Sequence, residues 1–247
     1  MTSGRPSISV ILPVFNGEVF LAEALESVFR QGYDPLEIIV VDDGSTDRTA
    51  EIVRGYGDRV HYCHQNNSGP AAARNVGLGV ASGEVVAFID ADDLWPEGKL
   101  ALQMARFEEN PSLEVVVGRV QYFVLTQAPT GQAEFVPFQA PTLGANLGAG
   151  IYKKSVFQKL GNFDAEFRFC EDLDFFLRIR EKRVAMLIVD TVTLFYRLHD
   201  ANMSRERTKR TEVFLRALKH SLDRRREESQ PQPGSLSALT KELPRKP

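Results

Sequence analysis

The sequence is short of cysteine, of long apolar runs and of excess charge of either sign, and each shortage excludes something. Its 247 residues hold two cysteines, Cys63 and Cys170. They have neither the CxxC spacing nor the ligand density of a zinc site, and two thiols do not make a disulfide scaffold. The expectation is reduced thiols in a reducing, cytoplasmic compartment. The longest apolar stretch near the start, residues 8–15, is too short to span a bilayer and is broken by Pro13, and no signal-peptide pattern precedes it. Any membrane contact is then peripheral. Thirty Lys and Arg stand against 33 Asp and Glu, a net charge of -3, so the global pull toward phosphate backbones that marks a nucleic-acid binder is missing. No GxGxxG follows the first apolar run, which speaks against a dinucleotide-dependent oxidoreductase, and no glycine-rich basic loop near the amino terminus supports a nucleotidyltransferase.

What is present is a chain that folds. Hydrophobic residues make up 43% and charged residues 26%, the composition of a soluble globular protein with a sizeable core. The length suits one large domain, or two small ones around a shared core. Strands read at 8–12, 37–41, 60–64 and 85–89 alternate with helical spacing at 18–31, 47–54 and 69–81. Four strand-helix alternations imply right-handed crossovers and a mostly parallel α/β sheet. A helix after Pro96 carries Leu100, Met104 and Phe107 inward, and residues 113–120 read as a strand. Residues 121–150, with Pro129, Pro137, Pro141 and several glycines, read as an irregular loop over a site. Helices are expected at 154–160 and 172–180, strands at 185–189 and 192–196, and a long helix at 205–227 with Phe214, Leu218 and Leu222 on one face. Residues 228–247 read as a mobile tail.

Ligands of parallel α/β sheets bind at the carboxyl ends of the strands, and the acidic clusters fall there. Asp42 and Asp43 close the second strand, Asp90 and Asp92 the fourth. In extended chain, residues i and i+2 point the same way, so Asp90 and Asp92 can present two carboxylates to a hard divalent cation. A single aspartate after a strand is more often a helix cap; four at two strand ends are harder to explain so.

The segments SVILPVFNG, EIIVVDDGSTDRT, GPAAARNVGLGVASGEVVAFIDADDLW and NFDAEFRFCEDLDFFLRI, in that order, resemble the successive signatures of the family 2 glycosyltransferases over roughly residues 7–200. The resemblance implies a single GT-A domain over 1–227, Rossmann-like, with a nucleotide-binding half at about 7–120, an acceptor half at about 121–227 and a C-terminal helix. It implies that Pro13, Val14, Phe15 and Asn16 hold the nucleotide base, with Phe15 against the ring unless it is a core residue. Asp42 matches the position that reads the base and Asp43 one beside the ribose, or both are turn formers. Arg74 matches a position facing base or diphosphate. Asp90, Ala91 and Asp92 match the DXD motif, Asp92 binding Mn²⁺ or Mg²⁺ and Asp90 contacting the ribose or the metal through water. Asp93 is ambiguous, a cap for the turn before Trp95 and Pro96.

Glu171 and Asp172 match the later ED motif, with Asp172 the catalytic base that takes the acceptor hydroxyl proton. Leu173 stands where many relatives carry tryptophan, which puts the acceptor pocket in doubt and leaves the base in place. Asp174 reads as a first-turn acid offsetting the helix dipole. His199, in YRLHDANMS, resembles a histidine that reaches the metal or diphosphate. Gly148 and Ala149 resemble a small-residue loop lining the donor sugar, or form a flexible turn. The last helix is rich in basic residues, including Arg216, Lys219 and Arg224 to Arg226, which fits an anionic membrane surface or simply a solvated face. The expected activity is inverting, metal-dependent transfer from a nucleotide diphosphate sugar, UDP-sugar foremost, to a glycan, lipid-linked or small-molecule hydroxyl in surface polysaccharide or glycoconjugate synthesis. The alternative is a non-catalytic nucleotide-sugar sensor or scaffold with the same fold.

Overall fold

The computed structural model describes residues 4–127, 133–167, 170–200, 202 and 207–229. Most of the expected tail lies outside them. The first half alternates β1 (Ile8–Val14), α1 (Leu21–Phe29), β2 (Leu36–Asp42), α2 (Thr49–Arg54), β3 (His61–His64), α3 (Pro70–Val80) and β4 (Val85–Phe88). The second half follows with α4 (Lys99–Glu109), β5 (Val115–Gln127), β6 (Ala133–Pro137), β7 (Gly150–Lys153), α5 (Ser155–Leu160), α6 (Glu171–Glu181), β8 (Met186–Leu198) and α7 (Arg207–Ser229).

All strands join one sheet in the order β3-β2-β1-β4-β7-β5-β6, with β8 pairing β5 off that path. The β3-β2-β1-β4 portion is parallel; β1, β2 and β4 are covered on both faces and read as apolar runs, whereas β3 is an edge strand with no buried residue. Every residue of β1 is buried. Pro13 lies past the last β1–β4 pair, Ile11 with Phe88, where the sheet needs no further donor on that side. Gly77 lets α3 lie directly on β1, since a Cβ there would come within 2.4 Å of Ile11 Cγ2. The helix faces expected inward are buried: Leu21, Ala24, Leu25 and Val28 on α1, and Leu100, Met104 and Phe107 on α4.

Beyond β4 the sheet is mixed. β7 runs antiparallel to β4 and β5, β6 antiparallel to β5, and β8 parallel to β5. Here the sequence expectation needs correction. Residues 121–127 continue β5 instead of starting a loop, and β6 returns beside them. Pro137 closes β6, whose outer side is a sheet edge, where a missing N–H is tolerated; Pro141 lies in the irregular chain expected between β6 and Leu147, and Pro129 is outside the described residues. The two expected strands at 185–196 are one strand, β8, whose register against β5 shifts around Arg119. Gly118 occupies that irregularity, where a Cβ would collide with Thr193 at 2.4 Å.

An aromatic cluster locks the second half to the first. Phe88 of β4 meets Tyr152, Phe157 and Phe163 edge-on, and Phe175 of α6 stacks on Phe157 with ring centres 5.1 Å apart. This packing brings the start of α6 to the end of β4. α7 lies on α6 through Ala217 and Ser221, both buried, whereas Phe214 and Leu222 of its expected apolar face are exposed. Asp174 is more than a first-turn acid: buried, it accepts from Arg178 and from Arg224 of α7, each at 2.9 Å. Among the described residues no helix is long and apolar enough to cross a membrane.

Candidate active site

The loops after β1 and β2 form one unit. Asn16 adopts a left-handed backbone, φ 51°, which asparagine tolerates better than most residues. Its N–H donates to Ser45 Oγ at 2.9 Å and its Oδ1 accepts the Thr46 N–H at 2.8 Å. Phe15 beside it is 51% exposed, so the core reading of that ring falls away and a face is open to a ligand. Asp42 and Asp43 are both buried. Asp42 accepts from the Ser45 N–H at 2.8 Å and from the Tyr62 hydroxyl at 2.7 Å. Burial, then the bond to Asp42, pushes the Tyr62 hydroxyl up to about 12. Asp43 accepts from Gln65 at 2.6 Å and from the Ser68 and Gly69 N–H groups at 2.7 and 2.8 Å, which sets its charge at the amino end of α3. Both aspartates therefore form turns. Asp42 and Asp43 are 1% and 4% exposed, so little of either carboxylate is open to a ligand.

At the end of β4 the chain turns through Asp90, Ala91, Asp92 and Asp93. Arg74 of α3, 3% exposed, donates to Asp90 at 2.6 Å and to Glu171 at the start of α6. The guanidinium thus faces two carboxylates, one from each motif, separated by 80 residues of chain. Burial and the neighbouring Asp92 and Glu171 charges raise the Asp90 carboxyl in spite of Arg74. Asp93 is buried and accepts the Arg197 N–H at 3.1 Å, while its other oxygen has no partner. It anchors β8, and burial together with Asp92 and Asp90 pushes its carboxyl well up.

Asp92 Oδ2 lies 3.0 Å from His199 Nε2, which β8 delivers to the crevice. Two ligands on adjacent corners of an octahedral cation with bonds of about 2.0–2.1 Å are separated by about that distance. Among the described residues no group of three or more His, Cys, Asp or Glu converges on a metal position. The pair fits a hard divalent cation that draws its remaining ligands from phosphate oxygens and water, the usual manner of Mg²⁺ at phosphate sites.

Asp172, in the first turn of α6, accepts the Leu147 N–H at 3.0 Å. Leu147 opens a short 3-10 turn, Leu147–Ala149, which is wholly buried. Gly148 and Ala149 thus pack, buried, next to the residue that donates to Asp172. Burial, with the Glu171 and Asp90 charges, pushes the Asp172 carboxyl up to about 7 against the pull of Arg74 and the Leu147 N–H. That is the range of a working general base.

Several contributors escape a reading based on motifs. Asn202 donates to Asp92 Oδ2 at 2.9 Å and accepts the His199 N–H at 2.5 Å; its signal was its place three residues after His199. Arg197 donates to the Asp92 carbonyl at 2.5 Å and to Glu23 of α1, and its guanidinium lies over Phe20 and Phe135. Nothing local in the sequence announces that pairing, which spans more than 170 residues.

The pattern of the family described as Glycosyl transferase family 2 matches residues 9–164. An uncharacterized glycosyltransferase of Rickettsia typhi is 30% identical over 209 residues, 79% of this chain and 65% of the relative. A putative teichuronic acid biosynthesis glycosyltransferase of Bacillus subtilis, TuaG, is 41% identical over 108 residues, 42% of this chain and 43% of the relative. The structure of S. aureus TarS 1–349 in complex with UDP matches with a TM-score of 0.62 and 25% identity, covering 78% of this chain and 60% of that one. The chain spans between 15% and 65% of the length of the first relatives it matches. Because the family pattern runs over more than half of the chain, through the strand ends that carry Asp42, Asp90 and Asp92, the chain belongs to glycosyltransferase family 2.

Proposed function

We propose that the protein transfers a sugar from a nucleotide diphosphate sugar, UDP-sugar foremost, to an acceptor hydroxyl with inversion at the anomeric carbon. The observation that carries this reading is Arg74, whose guanidinium joins Asp90 and Glu171 and so gathers a candidate donor motif and a candidate base motif at one crevice. The UDP-bound state of TarS supports the choice of nucleotide, and the relative TuaG supports surface polysaccharide synthesis.

The Pro13–Asn16 and Asp42–Thr46 loops receive the nucleoside, with Phe15 against the base and Asp42 and Asp43 toward base and ribose. Asp92 and His199 would hold Mn²⁺ or Mg²⁺, which supplies Lewis-acid stabilisation of the departing diphosphate. Asp172 takes the acceptor proton as the acceptor oxygen bonds to the anomeric carbon and the bond from that carbon to the diphosphate breaks. Leu147 and Arg74 orient the carboxylates for this step. Apolar and basic side chains on α7, among them Leu215 and Arg226, are exposed and would suit an anionic lipid surface near a lipid-linked acceptor.

The test pairs two substitutions with a panel of nucleotides. Asp172→Asn is expected to lower transfer by about 10²–10⁴-fold and to leave the UDP-dependent rise in Tm intact. Asp92→Asn is expected to remove the part of that rise that requires Mn²⁺. Full transfer by Asp172→Asn would sink the base assignment. A folded parent protein that no nucleotide stabilises, with or without Mn²⁺, would sink the donor assignment, whereas nucleotide binding with no transfer to any acceptor would favour the non-catalytic sensor.

A further inference from the structure

Each carbonyl from Leu147 to Gly150 is taken by a buried side chain from elsewhere. Tyr152 OH donates to Leu147 O at 3.3 Å and Trp95 Nε1 to Gly148 O at 3.1 Å. Gln103 Nε2 donates to Ala149 O at 3.0 Å, joined by Thr193 Oγ1 at 2.8 Å, and Lys99 Nζ reaches Gly150 O at 3.4 Å. Lys99 and Gln103 are spaced by four on one face of α4, Trp95 lies just before the helix, and together the three take the carbonyls of Gly148, Ala149 and Gly150. Lys99 is the unexpected member. It is 2% exposed, and its amine meets Gln103 Oε1 at 2.8 Å and the Trp95 ring at 4.3 Å. Burial holds that amine well below the usual lysine range. An apolar residue would fill the same volume without the desolvation cost, so the position is used for its hydrogen bonds. On the other side of the turn, the Gly148 N–H goes to Asn146 Oδ1 at 2.8 Å and the Leu147 N–H to Asp172. Fixed from behind by its carbonyls, the turn has a set place at which to offer the Leu147 N–H.

We propose that Lys99 and Gln103 are positioning residues for the Asp172 carboxylate, acting through the Leu147–Gly150 turn although neither reaches the crevice. The inference rests on Asp172 being the base. The Leu147 N–H and Arg74 hold the Asp172 carboxyl down; burial, Glu171 and Asp90 push it up. A loosened turn weakens the Leu147 N–H bond and leaves Arg74 and the raising influences in place, so the carboxyl rises further and the base is protonated over more of the neutral range.

The experiment follows the Asp172 carboxyl by ¹³C NMR titration, assigned by its loss in Asp172→Asn, beside the pH profile of transfer. It is run on Lys99→Met and Gln103→Met, and on the near-isosteric Thr193→Val in case the larger changes prevent folding. Expected are a titration midpoint raised by about half to one pH unit, an acid limb of kcat displaced by the same amount, and a donor KM changed less than about twofold. Midpoints unmoved in folded variants would overturn the proposal. So would a fall in kcat that merely parallels a loss of UDP binding. A parent Asp172 that titrates near the ordinary carboxylate value would instead reject the base assignment itself.

Discussion

Asp172 is held in conflict, and the conflict has a measurable sign. Its carboxyl is raised in the folded state to about 7, above an unfolded value of about 3.9. Between those two values the folded chain binds more protons than the unfolded one, so this residue makes stability fall as pH rises through about 4 to 7. Asp172→Asn is therefore expected to melt above the parent at pH 8 and level with it at pH 4, by calorimetry, with each kcal/mol appearing as about 2–4 °C for a chain of this size. A variant that gained nothing at pH 8 would mean the carboxylate is not penalised there. With Asp172 in its proposed role as base, transfer is expected to decline as pH falls through about 7, as a pH profile of kcat would show. At this scale the sequence reveals residues whose type suits the chemistry and whose place is a strand end, such as Asp42, Asp90 and Asp92. It hides Lys99 and Gln103, because their spacing by four on a helix reads as an ordinary packed face and only the structure supplies the carbonyls opposite.

The elements of the parallel half are legible because burial on both faces leaves uninterrupted apolar runs such as Val10 to Leu12 and Ile38 to Val41, all buried. The end of β5 and all of β6 are not, since half-exposed strands at a sheet margin mix polar residues, prolines and exposed apolar side chains such as Leu125, 49% exposed. α7 is legible as a helix but not in orientation. The small residues Ala217 and Ser221 face α6 and allow Arg224 to reach Glu181 at 2.8 Å as well as Asp174. Arg224→Met leaves two largely buried carboxylates with fewer partners, and is expected to cost about 1–3 kcal/mol, between an exposed and a buried ion pair. Urea melts of the variant measure this, and a change under about 0.5 kcal/mol would show α7 to be only loosely docked. A test of vesicle binding should accordingly neutralise Lys219 and Arg226 and spare Arg224, whose loss would confuse unfolding with detachment.

For the molecule as a whole, the sheet order separates the early sequence, which builds β1 to β4, from the later strands that complete the crevice. The motifs could be read separately, but their meeting depends on contacts between distant parts of the chain, such as Arg74 with Glu171 and Asp92 with His199, and on the aromatic cluster that packs α6 against β4. A nascent chain encounters the same order in time. The first four strands can emerge from the ribosome and pair while Arg74 has only Asp90 for company. Glu171 follows some 80 residues later, and the His199 that faces Asp92 later still. Until the segment that carries His199 has been made, the crevice at the strand ends lacks one of its walls, however well the first four strands have already paired.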